Sequence, residues 1–260
     1  ENNKLFDRFK GRIMFPIHNL SGRVIGFGGR ILKTEKSSAK YLNSPESDIY
    51  NKSKVLYGIY FAKQEILKSD NCFLVEGYTD VISLHQSGIE NVVASSGTSL
   101  TIDQIKLIKR FTPNITILYD GDSAGIKASF RGIDMILEQG MNVKIVLFPE
   151  GEDPDSYARS HPAHEVEEFL KNKADDFIRF KTKLLKEEAA NDPIKRGGLI
   201  KEIVQSISII PDEIMRSVYV QECSLLLDIP EQTLVNDLNK RLKSVQREVQ
   251  SNYQEFTQNQ

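Results

Sequence analysis

Cysteine and histidine are scarce in this chain, and long apolar runs are missing. Cys72 and Cys223 are the only cysteines among 260 residues. They share no metal-like spacing and sit among apolar neighbours, so they read as small core side chains. The four histidines, at 18, 85, 161 and 164, are scattered, and His161 and His164 lie in a polar HPAH turn. Zinc is therefore not expected. No apolar run approaches the ~20 residues of a bilayer-spanning helix. Residue 1 is Glu, with no charged and then apolar leader behind it. The start reads as that of a fragment or a processed chain.

What is present is a charge asymmetry beneath a net charge of −2. Residues 1–69 hold 13 Lys/Arg against 6 Asp/Glu, residues 70–172 hold 8 against 16, and residues 173–260 hold 13 against 14. A basic part suits a polyanion and an acidic part suits cations. Two independently solvated surfaces would give the same counts.

The chain opens with RIMFPI (12–17) and GRVIGFG (22–28) around NLSG, which predicts a β-hairpin. Gly26, Gly28 and Gly29 near its end suit a bulge or close packing. Residues 34–54 read as polar and irregular, and 55–68 as a helix. The middle then alternates. Strands are expected at 72–75, 91–95, 115–119 and 143–148. Helices are expected at 78–87, 101–111, 123–138 and near 163–171, with Thr101 and Gln104 as a capping box. This order predicts a parallel α/β sheet with helices on both faces. Beyond 173 the periodicity predicts a helical bundle, with Pro193, Pro211 and Pro230 at helix starts.

Three of the strands end in acids: Glu76 with Asp80 (EGYTD), Asp120 with Asp122 (YDGDSAG), and Asp153 with Asp155 (PEGEDPD). Ligands of open parallel sheets bind at the carboxyl ends of the strands. Convergent carboxylates repel one another unless cations intervene, and oxygen donors suit Mg²⁺ or Mn²⁺. Asp80 as a cap and Asp155 as a helix N-cap after Pro154 are the structural alternatives.

EGYTD and YDGDSAG resemble the E and DxD signatures of the TOPRIM domain. RIMFPIHNLSGRVIGFGGR, KYLNSPES, YNKSKVLYG, SSGTSL and PEGEDPD extend the likeness from about 4 to 172. On these the chain is identified as similar to the catalytic core of bacterial DnaG-type replicative primases. The resemblance implies a basic α+β subdomain at 1–69, a TOPRIM catalytic domain at 70–172, a helical subdomain at 173–249 and a polar linker at 250–260. It implies RNA primer synthesis on single-stranded DNA from ribonucleoside triphosphates, in the bacterial cytoplasm at the replication fork. It makes Glu76, Asp120 and Asp122 the catalytic acids of a two-metal Mg²⁺ or Mn²⁺ site, with Asp80, Asp153 and Asp155 in the same cluster. Glu76 is either a ligand or the general base. Lys40, Asn43, Lys52 and Lys54 fall on nucleotide- or template-contacting motifs, and Arg23 and Arg30 on the adjoining basic surface. The family's zinc module is expected to be absent, and its helicase-binding domain absent or barely begun at 250–260, which makes the chain a truncated core. A topoisomerase of type IA shares the TOPRIM acids but needs a nucleophilic Tyr on a further domain. A non-catalytic DNA-binding scaffold would not need the intact acidic set. A haloacid-dehalogenase-type phosphatase leaves EGYTD unexplained.

Overall fold

The computed structural model describes residues 7–32, 39–97, 99–121, 123–189 and 192–258. Strands β1 (Arg12–His18) and β2 (Val24–Ile31) form the expected hairpin, from Arg12 opposite Ile31 to His18 opposite Val24. Its turn is organised by Asn19, whose Oδ1 accepts from the amides of Ser21 and Arg23 at 3.0 Å each. Alternation along β1 buries Phe15 and Ile17 while Met14 and Pro16 face outward. Phe15 and Ile17 pack with Tyr50 and Tyr78 in a small core cluster. A third strand, β3 (Tyr41–Asn43), lies antiparallel to β2, inside the stretch read as irregular. Three residues are too few to show a period of two. Residues 34–38 of that stretch lie outside the described residues.

In the second sheet, β4 (Cys72–Val75) pairs in parallel with both β5 (Val92–Ala94) and β6 (Asn114–Tyr119). Next in order come β7 (Asn142–Leu147) and β8 (Asp175–Asp176), a two-residue antiparallel edge strand. The intervening helices are α1 (Ile59–Ser69), α2 (Tyr78–Gln86), α3 (Ile102–Lys109) and α4 (Ser123–Glu138). Two more follow β7: α5 (Pro154–Ser160), which the sequence reading did not separate, and α6 (Ala163–Asn172). The Thr101 capping box forms as expected. Thr101 Oγ1 accepts the Gln104 amide at 3.2 Å, and Gln104 Oε1 accepts the Thr101 amide at 3.1 Å. Val75, Val92, Ala94, Leu118, Val146 and Phe148 from successive strands bury together with Leu84 of α2. Cys72 and Cys223 are buried free thiols, and burial pushes Cys223 up to about 11.

The chain divides into two compact units, residues 1–132 with 146–174, and residues 133–145 with 175–260. The basic segment and the described strand-end acids at 76, 80, 120, 153 and 155 thus fall in one unit, across the boundary expected at 69. Tyr57 and Ala94 stitch them, exchanging backbone hydrogen bonds of 2.9 and 3.0 Å. The second unit holds α7 (Phe177–Ala189), α8 (Pro193–Ser208), α9 (Glu213–Leu227) and α10 (Glu231–Gln258). It also takes the end of α4. Fully buried Lys181 donates to Ser206 Oγ at 2.6 Å and reaches Asp134 Oδ1 at 3.2 Å, and Ser206 Oγ donates to the same oxygen at 2.6 Å. A buried ammonium is strongly unfavourable without such partners, so Asp134 is held with the helices. Pro193 opens α8 after an Asp192 cap, and Pro230 directly precedes α10. The 250–260 stretch, expected as a linker, is helical through Gln258. No Pro or Gly interrupts residues 231–258, so the helix has no local reason to stop earlier.

Candidate active site

Glu76 follows the last residue of β4 and is exposed. The chain then turns through Gly77 into α2, and Asp80 folds back so that its Oδ2 accepts the Gly77 amide at 2.8 Å. Asp80 therefore does act as a cap, fixing the corner that presents Glu76. It is also electrostatically part of the acidic edge. Burial pushes its carboxyl up to about 6, the Gly77 hydrogen bond opposes this, and Asp120, Asp153 and Asp155 add repulsion. Carboxylates from the ends of β4, β6 and β7 thus sit within reach of one another's fields.

Asp120 is exposed directly after β6. The next residue explains the glycine of the DGD motif. A Cβ on Gly121 would lie 2.0 Å from the Pro149 carbonyl oxygen and 2.9 Å from Glu150 Cα. The Gly121 amide donates to the Glu152 carbonyl at 3.0 Å. Only glycine lets the two strand-end loops cross this closely. Asp122 lies outside the described residues.

In the 149–155 loop Asp153 is the N-cap of α5. Its Oδ1 accepts the Ser156 amide at 2.6 Å, and the Asp153 amide donates to Ser156 Oγ at 3.0 Å. The cap thus falls one residue before Pro154, not on Asp155 as the alternative had it. Proline prefers the first helical position, which moves the cap ahead of it. Asp155 lies in the first turn and is held by Ser83 Oγ at 2.6 Å and Arg159 Nε at 3.0 Å. Within the same loop Glu152 buries its Oε2 with no hydrogen-bond partner among the described residues. Among the described residues no group of three or more His, Cys, Asp or Glu side chains is placed to hold a metal ion. The donor chemistry still suits a hard divalent cation: the edge offers carboxylate oxygens, and Asp80, raised chiefly by burial, is raised further by Asp120, Asp153 and Asp155.

On the basic side, Asn43 at the end of β3 is locked at both amide atoms. Its Oδ1 accepts from the Tyr78 hydroxyl at 2.8 Å and its Nδ2 donates to the Ser96 carbonyl at 3.1 Å. Tyr78, two residues past Glu76, stacks on Phe15 at 5.0 Å. A Cβ on Gly28 would lie 2.4 Å from the Tyr78 ring, which is the close packing expected of these glycines. Tyr78 was not singled out from the sequence, although it lies inside the EGYTD motif. Arg30 and Lys40 each come within 5.9 Å of the Tyr41 ring centroid. Lys52 and Lys54 form a single 3₁₀ turn capped by Asn51, whose Oδ1 accepts the Ser53 amide at 3.0 Å. Buried Gln104 donates to the Lys52 and Val55 carbonyls at 3.1 and 2.9 Å, so the α3 cap also anchors this lysine turn. Arg23 is not gathered with the others. It precedes β2 while Arg30 lies near its far end, roughly 20 Å away along an extended strand.

The raised Asp80 has a consequence for stability. Between an ordinary 3.8 and about 6, the folded protein holds a proton that the unfolded chain releases. Stability from this group therefore falls as pH rises through that window, and the loss is complete above it. Asp80→Asn keeps an acceptor for Gly77 and removes the charge. It is expected to melt above the parent at pH 8 in chelator, by an amount equivalent to about 2–3 kcal/mol. The gap closes toward pH 4.5. Thermal melts at both pH values check this, and a gap independent of pH contradicts the shift.

The chain resembles known proteins along most of its length. Residues 1–63 match the family model "DNA primase catalytic core, N-terminal domain", 73–158 match "Toprim-like", and 178–232 match "DnaB-helicase binding domain of primase". The last corrects the expectation that no helicase-binding part is present. That expectation rested on the polar 250–260 stretch, while periodicity in 178–232 reported packing and not partners. A DNA primase of Staphylococcus aureus is 36% identical over 238 residues, which are 92% of this chain and 39% of that protein. The chain thus spans well under half the length of that relative. A DNA primase domain from Pseudomonas aeruginosa superposes with a TM-score of 0.80 at 34% identity, covering 92% of this chain and 75% of that one. A DnaG primase catalytic domain bound to ssDNA gives 0.76 at 38%, covering 87% and 72%. With two primase models flanking a Toprim-like one in chain order and solved cores matched over most of their length, this chain belongs to the bacterial DnaG-type primase catalytic-core family.

Proposed function

We propose that this chain joins ribonucleotides into RNA on a single-stranded DNA template, as the polymerising part of a primase in the bacterial cytoplasm. The observation that carries this is the acidic edge: Asp80 feels Asp120, Asp153 and Asp155 from two other strand ends, beside the Asn43–Tyr78 pair. Two Mg²⁺ or Mn²⁺ ions held by Glu76, Asp120 and Asp122 would neutralise the α-phosphate and activate the attacking 3′-hydroxyl. The protein's own part is positioning. Asp80 sets the Glu76 corner, Gly121 sets the spacing of the two acidic loops, and Asp153 and Asp155 fix α5 beneath them. Asn43 presents a fixed amide. Lys40, Lys52, Lys54 and Arg30 act on triphosphate or template phosphates as cations. The ssDNA-bound relative supports the template assignment, and the 178–232 match supports a replicative helicase as partner of α7–α9.

Labelled ribonucleotide incorporation on a single-stranded template with Mn²⁺ tests this. Template binding should weaken steeply with salt, by about −0.7 in log–log slope per phosphate neutralised. DNA binding without incorporation would establish a scaffold instead. A DNA strand linked covalently to a tyrosine would establish a topoisomerase.

A further inference from the structure

The segment carrying Lys40 and Asn43 is held by a short ladder. Strand β3 has three residues, pairs only with β2 and forms the outer edge of its sheet. So short an edge strand is weakly ordered by its own hydrogen bonds. Arg12, the first residue of β1, reaches across β2 to this edge. Its Nη1 donates to the carbonyls of Ala39 at 2.9 Å, Gly29 at 3.3 Å and Lys40 at 3.4 Å. The arm passes over Gly29, where a Cβ would lie 3.1 Å from Arg12 Cδ. Arg8 Nη2 adds a longer contact to the Asn43 carbonyl at 3.4 Å. The Lys40 carbonyl also accepts the Ile31 amide at 3.1 Å.

We infer that Arg12 is a positioning residue for nucleotide binding, acting through the backbone of Lys40. The inference rests on the reading of Lys40 as a triphosphate contact. Arg12 places Nη1 on main-chain carbonyls, so its role is to fix the backbone from which the Lys40 side chain extends. A cation displaced by about an ångström loses much of its value to a bound phosphate.

Equilibrium binding of ATP with Mn²⁺ to the intact chain tests this. Arg12→Met is expected to weaken binding roughly tenfold, with the melting temperature close to the parent's. Arg12→Lys, which restores a donor with three hydrogens, should return affinity to within about threefold. Added to Lys40→Met, Arg12→Met should change affinity less than about twofold, because the two act as one unit. Parent-like affinity in Arg12→Met, additive losses, or failure of lysine to rescue overturns the inference while leaving Lys40 a contact. Unchanged affinity in Lys40→Met overturns both. If Arg12→Met melts early, Arg12→Gln, which keeps one donor, carries the same comparison.

Discussion

Asp120→Asn is expected to lower ribonucleotide incorporation by about 10³-fold or more, the scale on which removing a preorganised charge stabiliser acts. The substitution is isosteric and the residue is exposed at the end of β6, so the fold should survive. The charge at this position already acts at a distance, since it raises Asp80. Removing it should therefore lower the Asp80 pKa and raise the metal-free melting temperature. Activity and stability move in opposite directions, which separates a functional carboxylate from a structural one. Glu76→Gln should lose activity similarly. Asp103→Asn, another acid at the start of a helix but on α3, should do neither. Parent-like incorporation by Asp120→Asn would remove this edge from the chemistry.

Much of this site was legible because it follows from strand grammar. Apolar runs ending in acids locate β4, β6 and β7, and parallel connectivity brings their carboxyl ends to one edge. Helix ends were legible where a local signal exists, as at Thr101 with Gln104. What sequence did not show are contacts between segments far apart in the chain. Asp155 meets Ser83, Asn43 meets Tyr78, and Asp134 meets Lys181, over separations of 35 to 72 residues. No periodicity reports such pairs. The charge change near 69 falls between the two family matches that end at 63 and begin at 73, yet charge does not report that Tyr78 packs back across it onto Phe15. The very short strands β3 and β8 were also out of reach, because three residues or two carry no alternation. Net charge over 1–69 also carries no distances, and it is strand length that sets Arg23 and Arg30 at opposite ends of β2.

Gly121→Ala should be the most damaging single methyl group in the acidic edge. The added Cβ would fall 2.0 Å from the Pro149 oxygen, 2.5 Å from its carbonyl carbon and 2.9 Å from Glu150 Cα. All three are backbone atoms, so no rotamer change relieves the clash. Either the turn after β6 or the 149–152 loop must move, and the Gly121 amide bond to Glu152 is strained with it. Overpacking of this kind costs about 1–3 kcal/mol. The functional loss should be larger, because the moving loops carry Asp120 on one side and Asp153 with Asp155 on the other. A displacement of about 1 Å between reacting groups is enough for roughly 10²-fold. We therefore expect incorporation to fall by that factor or more, with a lower melting temperature. Gly197→Ala is the matched control: it lies in α8, and a Cβ there meets nothing within 4 Å. It should keep activity and gain several tenths of a kcal/mol from helix propensity. The same melts and incorporation assay read both variants. A Gly121→Ala protein with parent stability and rate would mean that the two loops do not need to cross at this distance, and the spacing of the carboxylates would then have to be set elsewhere.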